Sequence, residues 1–349
     1  MTRKLGLAAL AILGSLSLAA CGSTNPGAQN TGDPRIRVLS STSVYADLAA
    51  KIGGDLVDSV PLIKSPSQDP HSYEATARDK LEASKSQLII ANGGGYDPFL
   101  DSLVTDLALT GDTVLRAVEH SPVPAAHEES EPETDDHDHD HDHDHDHDHD
   151  HDHAAPAEDE SASDSHAGHD HAEYNEHLWY DVESMQQLVP EIANRLAKIS
   201  PEHAATFQAN ATELGQQLTS LASEATALRH RAAGLNFAMT EPVPEHLLED
   251  AGFTDATPAG FSEAIEGDSE VSPQVFKRMS DLLASGKIQL LAYNTQTASP
   301  QTERIRDSAL KANVHVVDFS ETLPENTGYV QWMENNISAI DTALNELSH

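Results

Sequence analysis

The chain has 349 residues, of which 38% are hydrophobic and 22% charged, and its 20 Lys and Arg against 58 Asp and Glu give a formal net charge of -38. That length and apolar content are enough for about two domains with buried cores. So acidic a balance argues against nucleic acid, whose phosphates need Lys and Arg patches, and is compatible with cations as partners.

The first residues, "MTRKLGLAALAILGSLSLAAC", place Arg3 and Lys4 before a short apolar run that ends in small residues ahead of Cys21. This pattern reads as a secretory signal over 1–20, and "LAAC" reads as a lipobox that directs cleavage before Cys21 and its lipidation. The apolar run is short for a membrane-spanning anchor. Cys21 is the one cysteine in the chain, which excludes an intrachain disulfide and any CxxC metal site. "GSTNPGAQNTGDP" completes a flexible tether over 21–34. The folded part is therefore expected to begin near Arg35, outside the cytoplasm and held to a membrane by lipid.

From Arg35 strands and helices alternate. "RIRVLS" reads as a strand and "SVYADLAAKIGG" as a helix with a Gly stop. "DLVDSVPLI", "QLIIANGGG" and "DTVLRAV" read as strands, with "TARDKLEASKS" and "YDPFLDSLVTDL" as helices between them. This order predicts an α/β lobe with a mostly parallel sheet and helices on both faces. A low-complexity insert follows over 120–173. "HLWYDVESMQQLVPEIANRLAKIS" then predicts a short extended piece and an amphipathic helix. Pro201 opens a helical stretch that runs to Gly234 without another proline, long enough to span about 50 Å. The alternation restarts with strands at "LNFAMT", "KIQLLAYN" and "VHVVDFS", and helices at "VPEHLLEDAGF", "SPQVFKRMSDLLASG", "TERIRDSALKAN" and "GYVQWMENNISAIDTALNEL". The expected architecture is two α/β lobes joined by one long helix: a first lobe over 35–182, a helical segment over 183–234 and a second lobe over 235–349. A ligand is expected in the cleft between the lobes, at the carboxyl ends of the strands.

Several residues at strand ends carry metal-binding chemistry. His71 lies in "SQDPHSYEATARD", a polar loop before a helix, and this stretch alone reads slightly better as an ordinary loop histidine. His177 lies in "NEHLWYD", where Trp179 and Tyr180 could shelter it from solvent, although a capping or core histidine reads the same way. Glu241 ends a strand in "FAMTEPVPEHL", with His246 one turn into the next helix. Asp318, Ser320 and Glu321 end another in "VVDFSETLP". An acidic residue at a strand end is often only a helix cap. Together, two histidines from one lobe and carboxylates from the other would make a four-coordinate N/O site suited to Zn²⁺ or Mn²⁺.

The order and wording of these motifs resemble the zinc/manganese substrate-binding lipoproteins of ABC importers, over nearly all of the chain after the tether. "DPHSYE" is similar to that family's first ligand motif and "EHLWYD" to its second, so the resemblance implies His71 and His177 as ligands. It implies Glu241 as the third, at the end of the first strand of the second lobe, and Glu321 of "FSETLP" as the fourth. The family more usually has Asp there, which leaves Asp318 as a rival. His246 falls where the family carries a tyrosine, so the resemblance sets it aside. It further implies partnership with a membrane permease and its ATPase, a monomer, and no enzymatic activity.

The insert contains the unbroken repeat His137, His139, His141, His143, His145, His147, His149, His151 and His153, each separated by Asp. Such a repeat has no apolar surface to bury and is expected to be solvated and disordered. Imidazole of ordinary pKa, about 6.5, is mostly neutral near pH 7 and ligates Zn²⁺. The repeat would gather metal weakly through shifting ligand sets and serve the cleft as an accessory collector. In the resembling family such loops accompany zinc, which points to Zn²⁺ as the bound ion with Mn²⁺ as the alternative. The competing readings are a surface metallohydrolase, for which neither HExxH nor G-x-S-x-G is present, and a metal-dependent adhesin.

Overall fold

The computed structural model describes residues 35–65, 68, 70, 72–122 and 175–347. The signal over 1–20, Cys21 and its tether, His71, and the His/Asp repeat from His137 to His153 lie outside the described residues. None of the described helices is long and apolar enough to cross a membrane.

In chain order the first lobe contains β1 (Ile36–Thr42), α1 (Ser43–Gly53), β2 (Val57–Ile63), α2 (Ala77–Ala83), β3 (Leu88–Ala91), α3 (Pro98–Asp106) and β4 (Val114–Arg116). Two long helices follow, α4 (Val182–Ile199) and α5 (Ala204–Ala232). The second lobe contains β5 (Asn236–Met239), α6 (Glu245–Asp250), β6 (Thr254–Asp255), α7 (Ser262–Glu266), α8 (Pro273–Ala284), β7 (Leu290–Asn294), α9 (Pro300–Lys311), β8 (His315–Phe319) and α10 (Tyr329–Leu347).

The strands run parallel in the order β2-β1-β3-β4 and again in the order β6-β5-β7-β8. Each sheet therefore reverses its winding at one place, between β1 and β3 or between β5 and β7. A crevice forms at the carboxyl ends of the strands at such a point. Side chains alternate between faces along each strand. Val38, Ile90, Phe237 and Leu290 join one large core cluster, whereas their neighbours Leu39 and Ile89, and Ala238 and Leu291, join the outer clusters of their own lobes.

The large cluster continues through both lobes because α5 lies beneath each. Its buried residues Phe207, Ala211, Leu214, Leu218, Leu221, Ala225, Leu228 and Ala232 are spaced alternately by four and three, a single stripe along the helix. At 29 residues α5 spans about 44 Å. It begins later than its sequence suggests, because Pro201–His203 forms a separate 3₁₀ turn. The segment expected to be extended before α4 is likewise a 3₁₀ turn, Leu178–Tyr180. Pro190 sits inside α4 without ending it; its exposed position leaves room for the ring on the solvent side. The short β6 and α7 were not anticipated, since two and five residues are too few to display a period.

One contact between the long helix and the second lobe depends on the absence of a side chain. Gly252, just past α6, has φ +96°, and a Cβ there would stand 2.8 Å from both Cα and O of Arg229 on α5. Gly252→Ala should therefore destabilise the protein by about 1–3 kcal/mol, through the strained backbone and the displaced helix. Thermal denaturation should show this as a fall of about 2–4 °C per kcal/mol.

Candidate metal centre

In the second lobe the carboxyl ends of β5 and β7 are fastened to each other. The Thr240 N–H donates to Ala292 O (3.0 Å), and the Asn294 N–H donates to Thr240 Oγ1 (2.9 Å). Glu241 follows at once, and its carboxylate is buried. Asn294, the last residue of β7, donates its amide both to Glu241 Oε2 and to Glu321 Oε1, the latter at 2.8 Å. The orientation of that amide is fixed, because its oxygen accepts from the Gln296 N–H at 3.0 Å. Thr297 Oγ1 donates to Glu241 Oε2 (2.7 Å). The loop bearing Glu321 is shaped by Gln296 Oε1, which accepts from the backbone N–H of Glu321 (2.7 Å) and of Thr322 (2.8 Å). Gln296 also donates to the backbone oxygen of Gln68 (3.4 Å), three residues ahead of His71 in the chain.

The first lobe contributes an aromatic wall. After β3 the chain turns through Gly93, Gly94 and Gly95, at φ +78°, +68° and +101°, a left-handed path that side chains rarely take. Asp97 closes this turn by accepting from the Asn92 N–H (2.7 Å) and the Gly93 N–H (2.8 Å). The turn delivers Tyr96, fully buried, across to the second lobe, where its hydroxyl donates to Glu321 Oε2 at 3.2 Å. Burial, with the negative charge of Glu321 beside it, pushes the Tyr96 hydroxyl well above its ordinary 10, so it remains a donor.

His177 is fully buried at the same cleft, with its ring edge-on to Tyr96 (5.7 Å) and to Trp179 (5.2 Å). Asn175 Oδ1 accepts from the His177 N–H (3.0 Å) and lies 2.8 Å from Nδ1. A cavity of about 350 Å³ shares Gln296 and Thr297 with this network and is lined also by Glu266, Asp268 and Glu270, an acidic approach that favours cations. Among the described residues, no group of three or more His, Cys, Asp or Glu side chains is arranged to hold a metal ion. The structure brings Glu241 to Glu321 and brings His177 to the same cleft; His71 is outside the described residues.

The profile of the zinc-uptake complex component A family, periplasmic, matches residues 38–343. The chain belongs to the zinc-uptake complex component A family. A putative metal-binding protein of Treponema pallidum (strain Nichols) is 23% identical over 342 residues, 96% of each chain. A manganese ABC transporter substrate-binding lipoprotein, PsaA of Streptococcus anginosus, is 33% identical over a shorter stretch of 91 residues, 26% of this chain and 28% of that one. Among solved structures, the periplasmic zinc-binding protein TroA of Treponema pallidum aligns with a TM-score of 0.63 at 21% identity, covering 89% of this chain and 99% of the other. The substrate-binding protein FpvC of Pseudomonas aeruginosa with Ni²⁺ aligns at 0.65 and 20% identity, covering 90% and 98%. These likenesses establish the shared two-lobed fold.

In this member of the zinc-uptake complex component A family, two alternatives from the sequence part company. Asp318 is half-exposed and pairs with Arg306 at 3.0 Å, away from Glu241, whereas Glu321 is fully buried beside it. His246 is half-buried, and its Nε2 lies 3.1 Å from the backbone oxygen of Asn175, across the lobes. Tyr180 is fully buried and donates to Ser320 O at 2.8 Å. Tyr96, Asn175, Asn294, Gln296 and Thr297 were absent from the sequence reading. Only the Gly-rich run before Tyr96 could have flagged one of them.

Glu245, beside His246, accepts from Asn175 Nδ2 at 2.9 Å, and burial raises its carboxyl from an ordinary 4.5 to about 7. Between those two values the folded chain keeps a proton that the unfolded chain has released. Stability from this group therefore falls as pH rises from 4.5 to about 7. Glu245→Gln should match the native metal-free protein below pH 4.5 and exceed it in stability above pH 7, as read by urea denaturation across that window.

Proposed function

We propose that this protein captures Zn²⁺ outside the cytoplasm, in the cleft between its lobes, and hands it to the permease and ATPase of an ABC-type importer. The observation that carries the reading is the convergence of two buried carboxylates, Glu241 and Glu321, on one neutral amide, with Tyr96 linking Glu321 to the buried His177 ring. Close carboxylates in a water-poor place repel each other and lose solvation, and a divalent cation relieves both costs. Membership of the zinc-uptake complex component A family supports the same reading, and relatives of this chain are named as substrate-binding lipoproteins of ABC transporters. The ligand set is His71, His177, Glu241 and Glu321, with His71 and His177 from a first lobe over 35–182 and the carboxylates from a second lobe over 235–349. The helical segment over 183–234 connects them. The His/Asp repeat from His137 to His153 is the weak accessory collector.

Mn²⁺ is the second reading. Two oxygen donors suit it better than an all-histidine set would, and both zinc and manganese appear in the names of related proteins. Metal analysis of the mature protein after competition between the two ions decides between them.

Zinc titration against a competing chelator tests the ligand set. Glu241→Ala should lose more than the ~100-fold that a change behind the ligands costs, and His246→Ala should change affinity little. The opposite ranking would make the site histidine-dominated and overturn the assignment.

Lipid attachment at Cys21 would keep a monomer of this protein near its permease. Cys21→Ser should move it from the membrane into the soluble extracytoplasmic fraction on fractionation; unchanged retention would refute the anchor.

A further inference from the structure

We propose that Asn175 is a positioning residue for the metal centre: its carboxamide holds the His177 ring as the Nδ1–H tautomer, which makes Nε2 the donor atom, and the same side chain ties that ring to the second lobe. This rests on the reading of His177 as a ligand.

The orientation of the Asn175 amide follows from its backbone partners. One end lies 3.0 Å from the N–H of His177, a group that only donates. The other end lies 2.6 Å from Pro242 O, a group that only accepts. The oxygen therefore faces His177 and the nitrogen faces Pro242; the reverse would set donor on donor and acceptor on acceptor. The oxygen is also 2.8 Å from His177 Nδ1. An amide oxygen cannot donate, so Nδ1 carries the hydrogen and Nε2 carries the lone pair. Glu266 Oε1 lies 3.9 Å from that nitrogen, beyond hydrogen-bond length. Tyr96 and Trp179, edge-on to the buried ring, oppose its turning over.

The tie to the second lobe uses the remaining groups of the same residue. Asn175 Nδ2 donates to Pro242 O and to Glu245 Oε2, and Asn175 O lies 3.1 Å from His246 Nε2. Pro242 is the neighbour of Glu241 in the chain. One side chain thus spans from the ring of the first-lobe histidine to the residue beside the second-lobe carboxylate. It sets a tautomer and a distance together.

The test uses the full mature chain in three variants: His177→Ala, Asn175→Ala, and Asn175→Asp made with Glu245→Gln so that no carboxylate faces the new one. Zinc affinity is read by competition with a chromophoric chelator. The His177 tautomer is read in the metal-free protein by ¹⁵N-histidine NMR, with its resonance assigned from the His177→Ala spectrum. The native ring should show the Nδ1–H form. Asn175→Ala should lose that preference and bind zinc about 10–100-fold more weakly, the usual cost of removing a partner behind a histidine ligand. The Asp variant keeps an acceptor for Nδ1 and should recover the tautomer, but it has no donor for Pro242 O and should recover only part of the affinity. An Nε2–H ring in the native protein, native affinity in Asn175→Ala, or an Asp variant that fails to restore the Nδ1–H tautomer would each overturn the proposal. Loss of affinity in His177→Ala but not in Asn175→Ala removes the positioning role alone. Native affinity in His177→Ala removes the metal reading, and this proposal with it.

Discussion

Two like charges held against one amide set the terms for everything around them. Glu241 and Glu321 are buried, and Asn294 reaches both. Thr297 and Tyr96, which also donate to their oxygens, are uncharged too. A lysine or arginine in place of Asn294 would neutralise the pair outright and stand where a cation would otherwise bind. Neutral donors do something different. They aim the carboxylates without neutralising them, as the proposed capture of a divalent cation by this pair requires.

Holding that arrangement requires the lobes to keep their separation, and the contacts that do so are mostly uncharged. Tyr329 on α10 donates to Trp179 O (2.7 Å), its N–H donates to Asp47 (2.8 Å), and the Leu323 N–H donates to Ser43 Oγ (3.0 Å). These join the Tyr180 bond to Ser320 O and the Tyr96 bond to Glu321, both fully buried tyrosines. Burial removes competition from water and strengthens each such bond. The loop that carries Glu321 is thereby gripped from the first lobe on one side and by Gln296 of its own lobe on the other.

Most strands and helices were legible because their residues repeat with a period. Leu88–Ala91 and Leu290–Asn294 are continuous buried runs, and the stripe of α5 alternates by four and three over eight residues. Helix ends were legible where a cap residue is present, as with Thr76 before α2; α9 began earlier than expected because Ser299 caps it with Pro300 at its first position. His177, Glu241 and Glu321 were named as candidates through motifs that resemble a family's, since residue type alone left a helix cap or a core histidine as equal readings; the structure buries all three. Asn175, Asn294 and Tyr96 gave no such sign. A neutral amide or phenol has many uses in a protein, and only the three-dimensional network shows that these three serve the ionisable groups. The same limit applies to His246, whose backbone partner across the lobes has no trace in the order of residues.

A core that runs unbroken through both lobes also decides how such a protein can move. Swinging the lobes apart would strip Tyr329, Trp332 and the stripe of α5 from the first-lobe residues they share a cluster with, and every square ångström so exposed carries a hydrophobic cost. Shifting a surface loop carries almost none. The low-cost motions are therefore those of exposed loop segments, not a wide opening of the two halves. An empty and a filled molecule would then present nearly the same outline. A membrane partner telling them apart would have to feel the stiffness and charge of a few loops at the cleft, not the angle of a jaw.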